Sequence, residues 1–560
     1  MIGLSSAIGK AWRVIAVLVA VTLALPAAAQ LNFSVQLPAD AGGPVTGRLI
    51  VVAAGTDVAE PRTAIGMLGP PSFAVNVEGM KPGASVTVGQ ESVGYPIELK
   101  SLPPGEYNVQ AVLIRYVQTK RSDGHTLWVP APNQARAPAY LSGGNLFSKV
   151  AKVRISPIAS APIALALTET IPPPAAPVET PWLKHVRIKS KVLSDFWGIP
   201  MTIGATVLLP KGFDANPNAR YPAVYALSHG DIPFGFTTDA TTDTPRARER
   251  AADAALETGY QFYKDWDGEG MPRFVAITLE QYSPYFFESY VLNSANNGPW
   301  GDAITKELMP YLEKTFRLIN QPYGRIVEGA STGGWETLAL QLHYPDLFGG
   351  AWIFNPDPID FTRYGLADIY REPNMFEYRV SEWQTAERPF RRSREGLPGL
   401  SMRDLSKLEL MLGDRGRGFY QLAIWQSTYG PTDKDGYPRA LFDPLTGVID
   451  REVAEYYRTN GFDLTHYAKT NWAKLAPKLS GKLNFFAGEQ DEFFLNLGVY
   501  KFEEMVREVG GANYPIRFEY GRPKKGHNWH HTDWTGVIKE MGAHVRKNAP
   551  AGAPVADWNY

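Results

Sequence analysis

The chain contains no cysteine in its 560 residues. Disulfides, thiolate nucleophiles and cysteine-ligated metal sites are therefore excluded. Neither sign of charge is in excess. The 56 Lys and Arg against 57 Asp and Glu leave a formal net charge of −1, so the basic surplus of a nucleic-acid-binding protein is missing. Long apolar runs are missing too, with one exception at residues 14–25 (VIAVLVAVTLAL). That run is short of the about twenty residues a bilayer requires. It follows Lys10 and Arg13 and precedes Pro26-Ala27-Ala28-Ala29, the three-part plan of a secretory signal peptide. The expectation is a signal peptide over 1–29, no stable membrane span after its removal, and a periplasmic or extracellular destination. Export without cysteine fits a bacterial periplasm, because a chain of this length can bury a core without disulfide staples.

With 44% hydrophobic and 20% charged residues, the rest reads as an ordinary globular protein of two or three domains. Residues 30–168 are punctuated by Gly and Pro. They hold β-rich stretches at 48–52 (RLIVV), 85–88 and 107–116 (YNVQAVLIRY), which predict a β-sandwich-like domain with no cluster of catalytic side chains. Residues 169–181 carry five prolines and read as an extended linker. From Trp182 strands alternate with helices. Strand patterns occur at 201–209, 221–227, 273–279, 325–328, 350–354 and 482–487. Helix patterns occur at 302–316, kinked at Pro310, and at 332–343. This alternation predicts an α/β domain over 182–548 with a mostly parallel sheet. Residues 361–480 are too long for a loop and rich in aromatics, and read as an inserted helical cap. Residues 549–560 form a tail.

The chemistry centres on Gly329-Ala330-Ser331-Thr332-Gly333. As a bare string Gly-x-Ser-x-Gly is weak, with on the order of 0.3 chance matches expected in a chain this glycine-rich. Its context carries more weight: a strand pattern precedes it and a helix pattern follows, as a serine nucleophile on a sharp strand-to-helix turn requires. Such a serine needs a base, and the base an orienting acid, in the order Ser, Asp or Glu, His. Asp491 ends a strand pattern at 482–487, with Glu489 and Glu492 as rivals, and His527 lies in a later loop. The oxyanion donors expected on this plan are the backbone N–H of Thr332 and one from the loop after an early strand, for which Asp231 is the candidate. A metal reading of His527, His530, His531 and Asp533 matches no familiar zinc spacing and leaves the serine turn unexplained.

Three segments carry a family resemblance: Asn297-Gly298-Pro299-Trp300-Gly301-Asp302, Glu307-Leu308-Met309-Pro310-Tyr311-Leu312-Glu313, and Gly329 to Gly334. Together with residues 221–230, 488–491 and 526–529, this pattern resembles the esterase D-like family of α/β-hydrolases. That family includes feruloyl, acetyl-xylan and enterochelin esterases, S-formylglutathione hydrolases and mycolyltransferases. The resemblance covers about 185–360 and 480–545. It implies an α/β-hydrolase fold, Ser331 as nucleophile, His527 as general base, Asp491 as its orienter, an acyl-enzyme intermediate and no cofactor or metal. The expected substrate is a small-molecule or polysaccharide-linked ester, such as an acylated polysaccharide or a siderophore ester. Two other readings are a peptidase or amidase using the same triad, and a non-catalytic binding protein on a hydrolase scaffold. The insert departs from the family, so substrate identity does not transfer, and no feature of the sequence sets the oligomeric state.

Overall fold

A computed structural model of the chain describes residues 31–131, 136–156, 161–227 and 229–560. The expected signal peptide and Ser228 lie outside the described residues.

The C-terminal part is built on an eight-stranded sheet. Its strands are β1 (Leu183–Lys189), β2 (Thr202–Leu208), β3 (Ala223–Leu227), β4 (Val275–Glu280), β5 (Arg325–Ala330), β6 (Gly350–Phe354), β7 (Leu483–Gly488) and β8 (Arg517–Gly521). The spatial order is β1-β2-β4-β3-β5-β6-β7-β8. Strands β1, β2 and β4 pair antiparallel, and every pairing from β4 and β3 to β8 is parallel. The central strands are buried along their whole length, as expected of a parallel sheet covered on both faces. Helix α1 (Thr332–His343) follows β5 without a linker beyond Ser331. The helix expected at 302–316 runs over 300–315, but residues 303–308 form a π-helical turn just before Pro310. A wider turn is a regular accommodation where proline lacks the N–H of an α-helical hydrogen bond.

Residues 33–170 form two sheets. A three-stranded sheet (Ile163–Ala166, Phe33–Gln36, Ser85–Val88) faces a larger one that includes Val45–Ala54, Ser72–Met80 and Gly105–Lys120. Side chains alternate along a strand. Leu49, Val51 and Ala53 accordingly point into the space between the two sheets, against Phe33, Val35 and Val88. Ile50 and Val52 point the other way, with Val112, Ile114 and Tyr116, into a second core that continues into the C-terminal α/β part. The linker begins as an edge strand, Glu169–Thr170, and Ile171 is buried. Residues 172–179 are then exposed.

The insert contains a hairpin (Glu377–Ser381 with Gln384–Glu387) and helices α2 (Met402–Leu412) and α3 (Gln421–Tyr429). Three further helices follow, Arg451–Thr459, Leu464–Thr470 and Trp472–Leu479. The last two pack against α1 and against α4 (Asn496–Gly510), so they belong to the α/β body and not to a cap. The earlier part is clamped to the β-module. Arg48, buried in the sandwich, donates to the carbonyls of Met411 (3.1 Å) and Leu410 (2.7 Å). These are carbonyls at the C-terminal end of α2, where a helix leaves acceptors unpaired and favours positive charge. The C-terminal residues are anchored as well. Trp558 is fully buried, and the Arg273 guanidinium donates to the Tyr560 carbonyl at 2.9 Å.

Candidate active site

Ser331 links β5 to α1 with φ 58° and ψ −120°. A non-glycine residue adopts this region only when its surroundings enforce it. Here the Ser331 N–H donates to Phe354 O (3.0 Å), and its carbonyl accepts from the N–H groups of Asp357 (2.9 Å) and Trp335 (3.1 Å). A side chain at Gly329 would lie 2.3 Å from Leu227 O, and one at Gly334 would lie 2.7 Å from Phe354 O. Only glycine permits those approaches, so Gly329 and Gly334 are explained by packing.

His527 and Asp491 stand at the ends of neighbouring elements. The His527 Nδ1 to Asp491 Oδ2 distance is 2.7 Å, and Asp491 is fully buried. The other oxygen, Oδ1, accepts from the backbone N–H groups of Phe493 (2.8 Å) and Leu495 (3.3 Å), which hold the carboxylate at one angle. Of the three candidate acids, Asp491 meets the imidazole. Glu492 instead accepts from the His527 backbone N–H (2.6 Å), and Glu489 from that of Lys524 (2.8 Å). Asn355, just after β6, bridges the ends of these elements. Its amide donates to Trp529 O (3.0 Å) and its oxygen accepts from Gly488 N–H (2.8 Å). Ser331 and His527 line the same cavity.

Sequence reasoning missed Asp357. It lies three residues beyond the end of β6 and is buried. Its Oδ1 accepts from the Ser331 hydroxyl at 3.3 Å. Its Oδ2 accepts from Tyr290 (2.5 Å), Thr332 (3.0 Å) and Gln421 (2.9 Å). The position was available as an acid after a strand, the same cue that selects Asp491. Tyr290 and Gln421 carry no such cue.

Residues 198–394 match the family described as "Putative esterase". Over that segment the chain is similar to this esterase family. The match agrees with the resemblance read from the sequence. No curated protein matches. Among solved structures, the chain is similar to the fluorophosphonate-binding serine hydrolase F of Staphylococcus aureus. The identity is 16%, the match covers 65% of this chain and 98% of that one, and the TM-score is 0.33. It is also similar to an S-formylglutathione hydrolase from Agrobacterium tumefaciens at 12% identity, covering 65% and 94%, with a TM-score of 0.30. A ferulic acid esterase from Anaeromyces mucronatus shows 15% identity, covering 67% and 92%, with a TM-score of 0.28.

The cavity over Ser331 has a volume of about 420 Å³. Its wall is aromatic and comes from three regions. Phe286 and Phe287 follow β4, Phe390, Phe419, Tyr420 and Trp425 belong to the insert, and Met67 and Pro138 come from the β-module. His229 lines the cavity as well. Asp231 does not appear in the wall; its carboxylate lies 3.2 Å from Arg136. Thr332 is buried, and its hydroxyl points to Asp357.

Burial works against charge on His527, but Asp491, then Asp357 and Glu492, outweigh it and raise its pKa above the usual value of 6.5. His229 is raised in the same way by buried Glu288, 3.1 Å away. Burial raises the Asp357 carboxyl against its hydrogen bonds. His530 and His531 turn elsewhere. His530 Nδ1 lies 2.9 Å from Asn528 O, and His531 Nε2 lies 3.1 Å from Glu540. Among the described residues no three His, Asp or Glu side chains converge as metal ligands, and no helix is long and apolar enough to cross a membrane.

Proposed function

We propose that the protein is a serine esterase acting outside the cytoplasm, with Ser331 as nucleophile, His527 as base and Asp491 as the acid that orients it. The observation that carries the reading is the 2.7 Å contact of a fully buried carboxylate with a histidine that shares a cavity with a strained, strand-to-helix serine. His527 takes the Ser331 proton as the serine oxygen attacks the ester carbonyl, and then delivers it to the departing alkoxide. Water repeats the cycle on the acyl-enzyme. The N–H of Thr332 at the start of α1 receives the oxyanion, and the loop after β3 is the place for a second donor, although the residue expected there, Asp231, lies outside the cavity wall while His229 lines it. The aromatic wall suits an apolar or aromatic acyl group, carried by a small alcohol or by a polysaccharide. His527 must be neutral to act as base. Activity is therefore expected to fall with acidification through an apparent pKa above 6.5, the direction in which its carboxylate neighbours move it.

The test is hydrolysis of paired ester and amide substrates with graded acyl groups, by the wild type and by Ser331→Ala. Turnover of apolar or aryl esters that vanishes in the variant supports the reading. Ester turnover that survives in Ser331→Ala refutes it.

A further inference from the structure

The Ser331 hydroxyl has a carboxylate neighbour that the triad does not use. Asp357 accepts a hydrogen bond from it at 3.3 Å, and three more donors converge on the other carboxylate oxygen. Proton accounting fixes their direction. Tyr290 Oη receives the indole N–H of Trp425 at 2.6 Å and the amide of Gln421, which occupy both of its lone pairs. Its single proton then goes to Asp357 at 2.5 Å in preference to the Thr332 hydroxyl at 3.1 Å, because the shorter contact is to a carboxylate oxygen. Four donors directed at one buried carboxyl match the ionised form, which only accepts.

We propose that Asp357 is a third carboxylate of the reacting centre, which holds the Ser331 hydroxyl and whose charge stabilises the imidazolium that His527 becomes. The proposal rests on Ser331 being the nucleophile. In the step concerned the serine hydroxyl turns its proton from Asp357 to His527 Nε2, the O–H bond breaks and the proton passes to that nitrogen. The freed electron pair bonds the ester carbon, and the carbonyl pair moves onto oxygen. Asp357 gains no proton and supplies negative charge beside the cation as it forms. Burial makes such a charge expensive unless it is hydrogen-bonded. Tyr290, Thr332 and Gln421 meet that requirement, and Gln421 and Trp425 bring the insert helix α3 into the arrangement.

The charged groups around the pair are few. His527 faces Asp491, Asp357 and Glu492, with His530 nearby, and Arg394 is already paired to Glu492. Asp357 faces His527 and His229, and His229 is paired to Glu288, which also holds Arg136.

The experiment compares wild type, Asp357→Asn and Asp357→Glu as full-length chains. It measures the pH dependence of kcat/KM on one ester and the rate of fluorophosphonate labelling. The Asn variant keeps the shape and removes the charge. It is expected to lose roughly tenfold or more in kcat/KM with KM little changed, and its acidic limb should move to lower pH. The Glu variant should restore the limb towards the wild-type position. If the Asn variant proves unfolded by circular dichroism, Tyr290→Phe replaces it, with a severalfold loss in kcat at unchanged KM expected. A wild-type kcat/KM and an unmoved limb in Asp357→Asn, or a wild-type kcat in Tyr290→Phe, overturns the proposal while leaving Ser331 labelled. A wild type that takes no label overturns the nucleophile assignment itself.

Discussion

The floor and the wall of the cavity are made in different ways. The floor is local. Ser331, Asp491 and His527 each sit within a few residues of a strand end in one sheet, and β5, β7 and the loop after β8 bring them together. The wall is remote. Met67 and Phe493 both line it although more than 400 positions separate them. It exists only because the β-module, the insert and the α/β part share one core. Chemistry carried by strand ends can be recognised from a short pattern, whereas specificity carried by a shared interface cannot.

The contrast can be broken most sharply at the floor. His527→Ala is expected to lower kcat by about 10³-fold or more, with little change in KM or thermal stability. A loss below tenfold would mean that another group takes the serine proton. At the wall the expected effect is smaller and different in kind. Met67→Ala should shift the ratio of kcat/KM between long and short acyl esters by about tenfold, in favour of the longer, while short-ester kcat stays near wild type. An unchanged ratio would detach the β-module from substrate selection. The smallest effect is expected beneath the floor. Glu328, two residues before Ala330 on β5, is buried with one carboxylate oxygen unpartnered, and burial raises its pKa to about 8. A carboxyl that ionises near 4.5 when unfolded and near 8 when folded holds its proton more tightly in the folded state. Stability from this group is therefore full below about 4.5 and declines as pH rises to about 8. Glu328→Gln should flatten the fall of Tm across that window, and an unaltered slope would show that Glu328 does not contribute to it.

Much of the floor is legible in the sequence. Helix α1 spans the expected 332–343 and β6 the expected 350–354. Position after a strand favours Asp491 over Glu489 and Glu492, and Asp491 is the acid that meets the imidazole. Asp357 follows a strand as well, but its contact with Ser331 depends on a turn and on partners that no local pattern marks. In the β-module a cue is present that alternation alone does not capture. Residues 49–52 (LIVV), which follow Arg48, are apolar without alternation, the mark of a strand buried on both faces. The structure bears this out, because Leu49 and Val51 face one core and Ile50 and Val52 the other. The same run begins with Arg48, whose buried guanidinium serves the end of α2. Nothing in the sequence marks that partner, because the helix it caps lies more than 350 residues away.

Both floor and wall depend for their meaning on Ser331 being the activated nucleophile of the cavity. Incubation of the full-length protein with a fluorophosphonate, followed by peptide mass mapping, tests this most directly. The predicted result is a single adduct on Ser331, formed far more slowly when His527 is replaced by alanine. An adduct on another residue, or a folded wild-type protein that takes none, would contradict it.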